Sequence, residues 1–201
     1  MTKYYKYIMP IVAIKLSIFF LISCNEDDFN QKNDALKFYV DTSLLANSIF
    51  LENSNTSLRP PLGWEPISNI DFEKLSKSIK SGDNIFDIHL SNTYRSIDGA
   101  LMIISRIQSK ADNFGYLPID YKELLIQQFS TKDIYSLKLS INQNAVLQYL
   151  INTDKFVIIR IFISSNPNYQ IDYIIPRNIY EKELKKIESS IGSIIKKTEK
   201  K

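Results

Sequence analysis

The sequence holds one cysteine and one histidine among 201 residues. Those two scarcities exclude, or nearly so, a zinc site built from protein ligands, a disulfide framework and most histidine-based catalysis. Five glycines are too few for glycine-rich nucleotide loops. A basic surplus on the body of the chain is also missing. The formal net charge is +3, from 25 Lys and Arg against 22 Asp and Glu. Residues 1–23 hold Lys3, Lys6 and Lys15 and no acid, which leaves 22 basic residues facing 22 acidic ones. A protein that grips phosphate backbones needs positive charge on its folded part. Nucleic acid is therefore not an expected partner, and neither a metal nor a cofactor is expected.

What is present begins with an export signal. Met1 to Lys6 is basic, Ile8 to Ser23 is mostly apolar, and the stretch stops at Leu21-Ile22-Ser23-Cys24. A basic start, an apolar middle and a small residue before the cut form the secretory pattern. A spanning helix wants about 20 apolar residues, whereas Lys15 leaves a cleaner run of only about eight. An uncleaved anchor is the rival reading. Leu-Ile-Ser-Cys resembles the bacterial lipobox. That resemblance implies cleavage before Cys24 and acyl chains on its sulfur, hence a membrane partner reached through lipid. Buried acyl methylenes contribute about 0.8 kcal/mol each, and two or three chains hold a protein without any spanning segment.

Asn25-Glu26-Asp27-Asp28 follows directly. An acidic cluster there resembles the surface-export tag of Bacteroidetes lipoproteins, and Asn25 does not match the enterobacterial inner-membrane retention signal. The plainer reading is a solvated linker. The expected organisation is a signal peptide over residues 1–23, an acidic flexible tether over 24–35 and a single domain over 36–201. The expected location is the bacterial outer membrane, facing either the cell surface or the periplasm.

Within the domain, residues 84–91 alternate, with Phe86, Ile88 and Leu90 on one side and Asp87, His89 and Ser91 on the other. Asp98-Gly99 is a hairpin cue before a strand over 100–107. Further strands are predicted over 135–141, 145–151, 155–164 and 169–175, joined by short Asn-, Asp- and Pro-containing turns. Short turns mean antiparallel pairing. Phe156-Val157-Ile158-Ile159 is apolar on both sides, which predicts a strand covered on both faces. Helices are predicted over 71–81 and 120–129. A last helix is expected after Pro176, with Asn178 as N-cap and Glu181 three residues on. Tyr180, Leu184, Ile187, Ile191, Ile194 and Ile195 form its apolar stripe. Lys182, Glu183, Lys185 and Lys186 are placed on its solvent side. The expected fold class is α+β: an antiparallel sheet of about five to seven strands flanked by helices, closed by a C-terminal amphipathic helix.

Pro60-Pro61-Leu62-Gly63-Trp64 and the closing helix Ile187 to Ile194 give the chain a likeness to a known scaffold. With the order of helices, hairpin and antiparallel strands, residues 45–197 resemble the Mog1/PsbP-like fold. The resemblance implies a scaffold of mostly non-enzymatic binding, adaptor or assembly factors. It carries over no site residues.

Candidate chemistry is sparse. Asp87, His89 and Ser91 share residue types with a catalytic triad, but neighbours two apart on a strand stand about 6.5 Å apart, and a nucleophile must lie within about 3 Å of its base. They read as the solvated face of a strand, so no catalytic residues are assigned. Glu26-Asp27-Asp28 lacks the spacing of a calcium loop. Trp64 and Pro61, with many tyrosines nearby in composition, are a candidate aromatic binding surface, against the alternative of core packing. The basic end, Lys196 to Lys201, reads as a solvated helix terminus or a contact for anionic lipid. The expected function is a non-enzymatic binding or accessory module with an unidentified protein or cell-envelope partner. A glycan or peptide hydrolase and an immunity or inhibitor lipoprotein are the alternatives.

Overall fold

The computed structural model describes residues 38–80, 86–109 and 121–196. All of them lie in one compact unit, Ala35–Lys201. The segment read as an export signal, Cys24, the acidic cluster and residues 197–201 lie outside the described residues.

A short 3-10 turn, Thr42–Leu44, opens the described chain. Three brief strands follow: β1 Ile49–Phe50, β2 Thr56–Leu58 and β3 Glu65–Pro66. Helix α1 runs Asn69–Lys80. It starts two residues earlier than the apolar spacing predicts because Ser68 caps it. The Ser68 hydroxyl accepts the Asp71 N–H at 3.2 Å and donates to the Asp71 carboxylate at 2.8 Å.

Strands β4 (Phe86–Arg95) and β5 (Leu101–Ser109) make the expected hairpin. Gly99 takes a φ of +91°, which the Asp98-Gly99 turn requires and other residues rarely adopt. Ser91 departs from expectation. The register slips between Leu90 and Asn92, so Ser91 is the extra residue of a β-bulge and falls outside the regular alternation that relates Asp87 and His89. The bulge also flips the alternation. Ile88 packs on one face of the sheet, and Tyr94, an even number of residues on, packs on the other.

Helix α2 covers Tyr121–Phe129. After it come β6 Ile134–Ile141, β7 Asn144–Asn152, β8 Phe156–Ile163 and β9 Asn168–Pro176. The strand order is β3-β4-β5-β9-β8-β7-β6, antiparallel throughout. The chain therefore leaves the sheet after β5, re-enters at the far edge and meanders back until β9 closes against β5. β8 is an interior strand beside the middle strand β9, and every residue after Phe156 in it is buried, as the two-sided apolar run predicts. The β6–β7 turn has Asn142 at φ +46° and Gln143 at φ +69°, the two left-handed residues of a tight hairpin.

The last helix, α3, spans Tyr180–Gly192. Its start differs from expectation. A 3-10 turn, Arg177–Ile179, precedes it, the N-cap position falls on Ile179, and no side chain caps it. β10, Ile195–Lys196, then pairs with β2, and β2 with β1, to make a small second sheet. Those strands are too short to leave a periodic trace in sequence.

The middle of the large sheet is buried on both faces. Against one, α3 and Trp64 enclose Ile104, Ile161, Ile171, Tyr173, Ile187 and Ile191. Against the other, α2 encloses Ile107, Tyr149, Ile151, Ile158 and Phe162. Each such side chain contributes about 1.5–3 kcal/mol by leaving water, and both faces must be covered for a strand as apolar as β8 to exist. The observed class is α+β with the predicted C-terminal helix. Among the described residues, no helix is long and apolar enough to cross a membrane.

Candidate functional site

Trp64 and Pro61, the candidate binding surface, face inward. Trp64 is 4% exposed, and its ring meets Tyr173 edge-on at 6.4 Å between centroids. Pro61 is buried in an isolated bridge with Leu45. The turn they share folds under the N-terminal end of α3 because the indole needs a polar partner once buried. Glu183 supplies it: the Trp64 Nε1–H donates to Glu183 Oε2 at 2.9 Å. Glu183, assigned to the solvent side from its charge, is therefore corrected to a core position at 1% exposure. Lys186 donates to both of its carboxyl oxygens, at 3.1 and 3.2 Å. The surface reading of Trp64 and Pro61 is corrected for the same physical reason, since the apolar ring gains more by packing than by facing water.

Asp87 and His89 are exposed, and Ser91 sits apart in the bulge. The structure does not bring them together. Among the described residues, no group of three or more His, Cys, Asp or Glu side chains converges.

A second charged cluster lies beneath α2. Arg160 on β8 and Asp172 on β9 are cross-strand partners, both at least nine-tenths buried. The guanidinium donates to the carboxylate through Nε at 2.8 Å and Nη2 at 3.0 Å, a bidentate fork. Its Nη1 donates to the Tyr121 hydroxyl at 2.7 Å, and Gln170 Nε2 donates to Asp172 at 2.8 Å. The Phe129 ring lies 5.8 Å from the guanidinium carbon. Burial works against the charged form of Arg160, but Asp172 and Tyr121 outweigh it and raise its pKa. The rings of Tyr121, Tyr149 and Phe162 pack edge-on against one another, with centroids 5.4–6.2 Å apart. The charged pair is buried, and within the cluster Gln170 Oε1 has no hydrogen-bond partner among the described residues. The cluster is a device of the interior.

The accessible feature is a cleft of about 430 Å³ between the segment before β1 and α3. Phe38, Tyr39, Asp41 and Leu44 line one wall, and Lys185, Glu188 and Ser189 the other. Tyr39 is 85% exposed. The Asp41 carboxylate accepts from the Ser43 hydroxyl at 2.6 Å and the Ser43 N–H at 2.9 Å. Those two bonds hold its pKa below the ordinary carboxylate value. A general acid needs the opposite direction. Asp41 N–H donates to Ser189 Oγ at 3.2 Å, which ties the two walls together. Sequence reasoning missed this cleft. Its parts lie 140 or more positions apart, and no local pattern links them.

No protein-family model matches the chain, and no curated protein matches it in sequence. Among solved structures it is similar to the solution structure of cyanobacterial PsbP (CyanoP) from Synechocystis sp. PCC 6803. The identity is 12%, over 75% of this chain and 92% of that one, with a TM-score of 0.46. A likeness of this degree carries no argument for a shared family or activity.

Proposed function

We propose that the chain is a lipid-anchored, non-catalytic binding module of the bacterial outer membrane, held through Cys24, with the cleft between residues 38–44 and α3 as its receptor surface. The cleft lining carries this reading. An exposed tyrosine ring, a cation at Lys185 and anions at Asp41 and Glu188 suit a polypeptide or envelope component with both apolar and charged groups. The lipobox sequence before Cys24 supports the anchor.

One experiment tests both halves. Cells expressing the full chain are labelled with palmitate, and the chain is extracted in detergent and used to capture envelope components. Cys24→Ala should lose the label. Tyr39→Ala combined with Lys185→Glu should lose the captured component while keeping the native circular dichroism spectrum. Capture untouched by the cleft variant, or turnover of glycan or peptide by the purified chain, would overturn the proposal.

A further inference from the structure

The two edges of the large sheet are built differently. One edge ends in β3, two residues long with Pro66 at its end, beside a strand already bent by the Ser91 bulge. Short strands, proline, bulges and edge lysines are the devices that discourage pairing. The other edge, β6, is long, regular and free of proline, and its one charge is Lys138. Its eight residues pair with β7 in unbroken register and, among the described strands, with nothing on the outer side.

The hairpin geometry fixes which groups point outward. Ile141 and Asn144 flank a two-residue turn and form a hydrogen-bonded pair. Alternation then turns the N–H and C=O groups of Tyr135, Leu137 and Leu139 toward β7, and those of Ser136, Lys138 and Ser140 away from it. The side chains divide in the same way. Tyr135 and Leu137 extend the apolar face that ends at Ile141, yet they are 63% and 37% exposed. Ser136, Lys138 and Ser140 form a polar row on the opposite face.

We infer that β6 is a pairing edge for a second copy of this chain, joined antiparallel across a two-fold axis with Leu137 opposite Leu137 of the second copy. The side-chain pattern selects the register, and in that register it complements itself, which suits a second copy. In this register Tyr135 faces Leu139 of the second copy, so apolar residues meet apolar ones on one face. On the other, Lys138 faces Ser136 of the second copy, and the two lysines lie on a diagonal. Sliding one way sets Lys138 against Lys138, a like-charge pair that destabilises a ladder. Sliding the other way sets Leu139 against Asp133, outside the strand, and shortens the ladder. The pairing joins two seven-stranded sheets through backbone hydrogen bonds.

The test uses the full chain in detergent with Cys24→Ala, so that an introduced thiol is the sole one. Leu137→Cys should cross-link to itself on mild oxidation, because opposed residues of a non-hydrogen-bonded pair have α-carbons about 4.5 Å apart. Lys138→Cys, displaced from its twin, should not. In sedimentation, the parent chain should show a concentration-dependent dimer. Leu137→Lys should weaken it about tenfold or more, with an unchanged melting curve at concentrations where the parent chain is monomeric. A parent chain that stays monomeric to about 100 µM, equal cross-linking at positions 137 and 138, or a dimer indifferent to Leu137→Lys would each overturn the inference.

Discussion

The indole N–H of Trp64 reaches Glu183 across 119 positions of sequence, and this bond fixes the Pro-Gly-Trp turn beneath α3. Both partners are buried, so each satisfies a group that would otherwise be stranded.

The first prediction concerns that pair. Glu183→Ala leaves a buried N–H without an acceptor, at an expected cost of about 1–3 kcal/mol. Trp64→Phe removes the donor as well, so the double variant should lose less than the sum of the two singles. Urea unfolding of the four proteins of the cycle measures this. Trp64 is the chain's one tryptophan, so its emission reports unfolding wherever it is retained, and circular dichroism serves the others. Strict additivity would show that the two residues are not coupled.

The second concerns Arg160 and Asp172. Asp172→Ala strands a buried guanidinium and should cost about 3–5 kcal/mol. Arg160→Met together with Asp172→Leu removes both charges and should cost less than Asp172→Ala alone. Chemical-denaturation midpoints decide the order.

The third turns on a glycine. A β-carbon on Gly192 would stand 2.7 Å from Phe38 Cβ and 2.7 Å from Val40 Cγ2. Gly192→Ala should therefore destabilise the chain by about 1–3 kcal/mol through overpacking. It should also raise hydrogen exchange at residues 38–40. Val40→Ala should recover part of the loss by removing one of the two clashing carbons. A neutral Gly192→Ala would mean that the 38–40 segment does not sit where described.

The fourth follows from Asp41. Its folded pKa is lowered by the Ser43 hydroxyl and N–H, so the carboxylate form is favoured by folding. Its contribution is fully present above the unfolded value of 3.8 and is lost as pH falls through the lower folded value. The Ser43 amide resonance should titrate with a midpoint below 3.8, and Asp41→Asn should abolish that titration. A midpoint at or above 3.8 contradicts the hydrogen bonds described.

These residues also show where sequence reasoning stops. The strands from β4 to β9 were legible because each carries its own alternation and turn chemistry. β8 was legible as a strand covered on both faces because Phe156 to Ile159 is apolar on both sides. Arg160 drew no reading from the sequence, because its partner Asp172 sits on another strand and nothing local links the two. Glu183 misled because a glutamate between lysines on a helix normally faces water. The indole that draws it inward lies on a distant turn. The Ser91 bulge left no composition signal, and the β5–β9 pairing depends on a long excursion that no local window contains. The cleft was illegible for the same reason.

The serines of α3 and of its C-cap, Ser193, do more than fill a small-residue face. Ser189 Oγ accepts the Asp41 N–H, Ser190 Oγ donates to the Arg59 carbonyl at 2.7 Å, and Ser193 Oγ accepts the Arg59 N–H at 2.8 Å. Together they stitch the segment from Asp41 to Arg59 onto the helix. Tension entering the chain from upstream of Phe38 would reach this seam before it reached the large sheet. The seam is thus the molecule's mechanical fuse: under load it should part first, freeing the cleft wall while the strands behind it stay zipped.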